Sequence, residues 1–256
     1  MRSFQYGELS VGVADTPVEL GEAAVDVFEQ AVKEAFQEAH EITVIMSLGA
    51  AQEPFFAALK AREGIEWSRI NVLHVDVYMG VPDSDPRSGG ARMRRHLTDI
   101  VAPKAFYAMQ GDTQPVEAEL ERYAELYKRL QPVICVVGIG ETGHLAFIDP
   151  PADFHTNSIM VAVALSEVTR RQIAKAGIFD SPEAVPCYGL SLTIPALIAP
   201  KFVIALADEP AKAPIMKEVL EGPVSIMCPA SILQTKAGAC MFLSLEAASE
   251  LQALHL

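Results

Sequence analysis

His144 sits in the segment VICVVGIGETGHLAFIDPP, residues 133–151, behind Gly138, Gly140 and Gly143 and ahead of Pro150 and Pro151, with Glu141, Thr142 and Asp149 nearby. An imidazole titrates near neutral pH, and adjacent carboxylates can orient or charge it, so this group is equipped for proton transfer. A histidine after a glycine turn is also an ordinary loop residue, and the residues alone leave both readings open. The glycines spell G-x-G-x-x-G, a phosphate-cradling fingerprint that needs a helix to open at the loop. Pro150 and Pro151 come too early for that helix, because an interior proline removes a hydrogen bond and clashes with the preceding turn. A dinucleotide cofactor is therefore not expected.

Other groups suit proton transfer or an anionic ligand. Asp76 ends the apolar run Ile70–Val75, where a carboxylate can be a helix cap, a turn former or a proton carrier. Ser47-Leu48-Gly49-Ala50-Ala51 follows a β-branched run and precedes a helical pattern, an arrangement that presents backbone N–H groups to an anion. Gly49 permits close backbone approach. Lys212 lies between Pro210 and Pro214 in the first turn of a helix, where a cation opposes the macrodipole unless an anion neutralises it. Lys175 stands near a helix end, where a cation is favoured in any case. Arg87, Arg92, Arg94 and Arg95 cluster after Asp76 and read as a solvated helix face.

Positioning these groups falls to alternating strands and helices. Apolar runs at Ile42–Met46, Ile70–Val75, Val133–Val137, Ile159–Leu165, Lys201–Ala207 and Ala239–Leu243 predict strands. Helical spacing is found over Thr16–His40, Glu53–Arg62, a stretch from Ser88 through Leu97, Pro115–Leu130, segments opening at Ser166 and at Pro210, and Leu245–Leu254. The alternation predicts an α/β fold: a three-layer α/β/α sandwich with a mostly parallel, Rossmann-like sheet, as one domain over residues 1–256. Chemistry in such sheets gathers at the carboxyl ends of the strands, where Asp76 and His144 fall.

With 50% hydrophobic residues in 256, the chain can bury a sizeable core. A net charge of −13 argues against a nucleic-acid partner and against long-range steering of an anionic substrate, so capture of a phosphate must be local. No apolar run reaches the length of a membrane span, and the start MRSFQYGELS lacks a charged-then-apolar signal pattern. A soluble, cytoplasmic protein without a membrane partner is expected. Cys135, Cys187, Cys228 and Cys240 are widely spaced and predict buried, reduced thiols, with neither a disulfide framework nor a metal site.

Four segments in order resemble one family, the glucosamine-6-phosphate deaminase/isomerase family with its relative 6-phosphogluconolactonase. Asp76-Val-Tyr-Met-Gly-Val-Pro-Asp-Ser-Asp-Pro-Arg-Ser88 is close to D-E-Y-x-G-x-P-x-x-x-P-x-S, and the segment from Gly138 to Pro150 resembles G-x-G-x-D-G-H-I-A-F-N-E-P. Lys212-Ala213 with Glu221-Gly222, and Ser231-Ile-Leu-Gln234, supply the other two. The resemblance implies a cofactor-free and metal-free acid–base enzyme acting on a phosphorylated aminosugar. It assigns the carbon-to-carbon proton transfer to Asp76, ring opening to His144, support of the histidine to Asp149, and phosphate binding to Lys212 and the loop of Ser47, Gly49, Ala50 and Ala51. Thr142 stands where the family has a carboxylate, with Glu141 beside it as a substitute charge. Lys175 takes the place of a phosphate-binding arginine, Val77 that of a glutamate, and the loop lacks the hydroxyls of T-G-S-T-P. The resemblance also allows a homo-oligomer. Two alternatives stay open: a 6-phosphogluconolactonase-like hydrolase with the same histidine as base for water, and a sugar-phosphate-binding protein that has lost the reaction.

Overall fold

The computed structural model describes residues 1–254. The chain opens with the hairpin β1 (Arg2–Tyr6) and β2 (Leu9–Ala14), then α1 (Pro17–Glu38), β3 (Ile42–Met46), α2 (Glu53–Ala61), β4 (Ile70–His74) and β5 (Asp76–Tyr78). Next come α3 (Gly89–Met93), a π-helical turn over Arg94–Thr98, α4 (Asp99–Val101), β6 (Ala105–Tyr107), α5 (Val116–Leu130) and β7 (Ile134–Gly138). The chain continues through β8 (Met160–Ala164), α6 (Glu167–Lys175), β9 (Tyr188–Leu192), α7 (Ile194–Ile198), β10 (Phe202–Ala207), α8 (Ala213–Glu221) and β11 (Ala239–Ser244).

Eight strands form one sheet in the order β1-β2-β11-β10-β7-β3-β4-β6, in which every pair except β1–β2 is parallel. Strands β3, β4 and β7 are buried on both faces, which is why they read as unbroken apolar runs rather than alternating ones. One face is covered by α1 and α2. Thr16 caps α1 by accepting from the Glu19 N–H, and the buried Phe28 lies 5.8 Å from Phe55 of α2, edge-on, and 6.2 Å from Trp67. The other face is covered by α5, α7 and α8, whose Tyr123, Leu197, Met216 and Val219 join the second apolar layer. This is the three-layer α/β arrangement with a mostly parallel sheet that the alternation predicts.

The order in which strands are added reverses between β3 and β7, parallel neighbours at the middle of the sheet: later strands spread to one side through β4 and β6 and to the other through β10 and β11. Loops diverge at such a switch point and leave a crevice at the carboxyl ends of the strands. Ser47 follows β3 and Gly138 ends β7, and Ser47 Oγ accepts from the Gly138 N–H at 3.1 Å, tying the two lips together.

Several local expectations need correction. Asp76 does not merely end a strand. It begins β5, part of a second, antiparallel sheet of order β5-β9-β8. The run Ile159–Leu165 does form a strand, β8, but in that small sheet, and there half-buried Val161 and Val163 alternate with exposed Ala162 and Ala164, as fits a sheet with one covered face. The predicted closing helix Leu245–Leu254 is absent: the segment makes turns and a 3-10 helix over Gln252–Leu254. Ten residues are too few to hold a helix on propensity, and Ala247, Ala248 and Leu251 are buried individually against the core. Cys187 is exposed and Cys240 half-buried, so only Cys135 and Cys228 are buried thiols. The hairpin β1–β2 and strands β6 and β9 escaped the sequence reading, being short or interrupted by Gly12 and Gly189.

Candidate active site

A cavity of about 330 Å³ opens over the switch point, a size suited to a small ligand. Its walls include Ser47, Gly49, Ala50, Ala51, Asp76, His144, Lys175 and Lys212, so eight of the ten residues singled out from the sequence meet there. The other two, Asp149 and Glu141, do not line it.

The histidine is built from its loop. Gly138–Pro151 folds back as a compact turn, with bridges pairing Ile139 to Leu145 and Leu145 to Ile148, and no helix opens from its glycines. His144 is 8% exposed, and its ring lies flat against Gly140, where any Cβ would collide with it. Nδ1 lies 2.9 Å from Thr142 Oγ1 and 3.2 Å from Asp149 Oδ1. Thr142 donates its hydroxyl to Asp149 Oδ1 at 2.7 Å, which leaves its lone pairs to accept from Nδ1–H. Nε2 is left without a partner among the described residues and serves the cavity. Asp149 reaches the imidazole although it is a methylene shorter than glutamate. It also accepts from the Thr169 hydroxyl at 2.8 Å and from the Ser166 N–H at 3.3 Å. Burial works to raise its pKa, but His144 and the hydroxyls of Thr142 and Thr169 outweigh that and hold it well below the usual carboxylate range. Its charge favours the tautomer with hydrogen on Nδ1. Glu141 contributes only its backbone N–H, to Gln172 Oε1 at 3.2 Å.

Asp76 faces the cavity from β5, held in register opposite Ser191 of β9. Burial pushes its pKa up to about 7, and the Arg92 guanidinium opposes the rise. A carboxylate poised near neutrality suits reversible proton transfer.

The cavity wall also carries cations. Lys212 is 3% exposed at the entry to α8, and its Nζ pairs with Glu209 at 2.9 Å. That counter-ion explains how a cation tolerates a helix start before any ligand arrives. Ala50 and Ala51 begin a 3-10 turn ahead of α2, where N–H groups lack intrahelical partners. Gln52 lies across Gly138 and donates to Ser47 Oγ at 2.9 Å, fixing the loop's shape. Lys175, the last residue of α6, adds a second cation.

Sequence reasoning missed His74, Arg92, Gln52, Thr169, Gln172 and Glu209, all of which line the cavity. The one signal for His74 was its type, an imidazole closing an apolar run two residues before Asp76, since the chain changes sheets between the two. Arg92 was read as part of a solvated helix face, yet it turns into the cavity.

Fold and site together define an α/β protein whose switch-point pocket is lined by a buried histidine, an aspartate of raised pKa and two lysines. The chain belongs to the family described as glucosamine-6-phosphate isomerases/6-phosphogluconolactonase, whose pattern matches residues 15–242. A glucosamine-6-phosphate deaminase of Lactobacillus delbrueckii subsp. bulgaricus is 30% identical over 244 residues, covering 95% of this chain and 100% of the relative. One of Listeria monocytogenes serovar 1/2a is 33% identical over 207 residues, 81% of this chain and 86% of the relative. Among solved structures, a monomeric glucosamine-6-phosphate deaminase superposes with a TM-score of 0.85 at 27% identity, covering 94% of this chain and 99% of that one. The 6-phosphogluconolactonase of Trypanosoma brucei superposes at 0.75 with 19% identity, covering 96% and 100%, a likeness of fold. No described helix is long and apolar enough to cross a membrane.

Proposed function

We propose that this protein is a sugar-phosphate isomerase/deaminase that converts glucosamine 6-phosphate and water to fructose 6-phosphate and ammonia. The phosphate rests on Lys212, Lys175 and the N–H groups of Ala50 and Ala51. His144 Nε2 exchanges a proton with the ring oxygen to open the sugar, while Asp149 and Thr142 hold Nδ1. Asp76 removes the C2 proton of the open chain and returns it to C1, and water displaces ammonia from the resulting imine. The reading carries with it a small-molecule partner and a cytoplasmic setting.

The observation that carries it is the pairing in one cavity of Asp76, whose pKa stands at about 7, with a histidine buttressed from behind. Hydrolysis of a lactone needs a base for water but no carbon acid, so it gives Asp76 no work to do. The test is ammonia release from glucosamine 6-phosphate by the purified protein, beside hydrolysis of 6-phosphogluconolactone. Release of ammonia that Asp76→Asn abolishes supports the reading. Lactone hydrolysis without ammonia release overturns it in favour of the hydrolase, and tight sugar-phosphate binding without turnover overturns it in favour of a binding protein.

A further inference from the structure

His74 and Arg92 stand beside Asp76 with no structural work assigned to their polar atoms. His74 closes β4 and is 1% exposed, and both of its ring nitrogens are buried without a hydrogen-bond partner. Native structures pair the great majority of such atoms, so an unpaired imidazole in a cavity wall points to a ligand that completes it. Gly89, the first residue of α3, lies so close to the ring that a Cβ there would overlap it, and Phe106 meets it edge-on at 6.5 Å. The imidazole is therefore held in place by packing, ready for use rather than free to turn away.

Arg92 extends from α3 into the same wall, close enough to act electrostatically on His74, Asp76 and Tyr78. Its neighbours are all engaged: Arg87 pairs with Asp85, Arg94 with Asp83, and Arg95 donates to the Pro86 carbonyl. The Arg92 guanidinium alone among these four has no hydrogen bond or ion pair among the described residues. Burial, helped by Arg92, pushes the pKa of His74 down to about 3, so its imidazole is neutral at physiological pH and offers one N–H. A neutral imidazole beside a cation and a poised carboxylate matches the needs of an enolising site, where a fixed donor polarises the carbonyl while the carboxylate takes a neighbouring proton.

We propose that Arg92 and His74 are catalytic residues that hold the sugar oxygen on which negative charge develops when Asp76 removes the C2 proton. The proposal rests on the deaminase/isomerase reading. In that step the C2–H electron pair forms the C1–C2 double bond, the carbonyl π pair moves onto O1, and the proton passes to Asp76. Arg92 and the His74 N–H hold O1 until it takes a proton from the C2 ammonium group; Asp76 then returns its proton to C1, the C1–C2 π pair forming that C–H bond, while the nitrogen lone pair forms the C2–N double bond.

The test compares Arg92→Met, Arg92→Lys and His74→Gln with the wild type, using glucosamine 6-phosphate with hydrogen or deuterium at C2. Expected is a kcat lowered about 100- to 1000-fold in Arg92→Met, with partial recovery in Arg92→Lys and a KM within threefold of wild type. The deuterium effect on kcat rises in each variant, because proton abstraction becomes the slow step. Unchanged binding of inorganic phosphate, measured by calorimetry, shows that the Lys212 end is intact. Should Arg92→Met fail to fold, His74→Gln and Arg92→Lys decide by the same isotope signature. A wild type that turns over while the folded variants keep kcat within threefold, or lose it with no rise in the isotope effect, overturns this assignment alone. A wild type that releases no ammonia overturns the deaminase reading and this assignment with it.

Discussion

Thr142 Oγ1 lies 2.7 Å from Asp149 Oδ1 and 2.9 Å from His144 Nδ1, so one hydroxyl bridges the carboxylate and the imidazole. A residue that cannot ionise thus links the charge of Asp149 to the imidazole. Thr142→Val, equal in shape but without the hydroxyl, is expected to lower kcat about 10- to 100-fold, the usual cost of losing a group that orients a functional side chain. Thr142→Ser restores most of it. Steady-state kinetics decide, and a valine variant with undiminished kcat removes the bridge from the mechanism.

In the proposed reaction Asp76 acts as a base only when ionised. With a pKa of about 7 in the folded protein against 3.8 ordinarily, kcat/KM is expected to rise with pH and reach half its plateau near 7. The same shift sets a sign on stability. Because the folded state binds this proton more tightly than the unfolded chain, ionised Asp76 costs stability, nothing below 3.8, increasingly up to about 7, and fully above it. Asp76→Asn is therefore expected to melt with the wild type at acidic pH and above it at pH ~8, by about 2–4 °C for each kcal/mol relieved. Calorimetry at both pH values checks this, and an asparagine variant that melts lower at alkaline pH contradicts it.

Lys212 is buried beside Glu209 in the cavity wall, where the proposed function places the phosphate. A hydrogen bond from a charged donor contributes about 1.5–3 kcal/mol, so Lys212→Met is expected to weaken competitive inhibition by inorganic phosphate about 10- to 100-fold. Lys175→Met, at the end of α6, should have a smaller effect. Equal phosphate affinity in the Lys212 variant places the anion elsewhere.

Gly140 carries the His144 ring on its Cα. Gly140→Ala is expected to displace the imidazole and abolish ring opening while the core, which does not include the loop's glycines, keeps its cooperative melting. Kinetics with an already open-chain substrate analogue separate this from general damage: turnover of the analogue survives if only His144 has moved.

Much of the architecture was legible because its signals are local. Buried parallel strands such as Ile42–Met46 and Ile134–Gly138 read as apolar runs, and prolines 150 and 151 ruled out a helix after the glycine loop, which indeed folds as a turn. The small sheet was not legible, since β5 has three residues and takes its pairing from β9, more than a hundred residues away in the chain.

By itself the sequence determined the alternating α/β order, the family motifs, the loop position of His144 after β7 and the place of Lys212 at a helix start, because hydrophobic period and glycine or proline chemistry act over a few residues. Tertiary structure alone decided that Thr142 rather than Glu141 links His144 to Asp149, that Thr169 completes the carboxylate's cage, and that His74 and Arg92 line the same cavity as Asp76. Those relations depend on where a side chain points and on what a distant segment brings beside it. In a crevice made by diverging loops, that is set by packing of the whole sheet and not by any one stretch of chain.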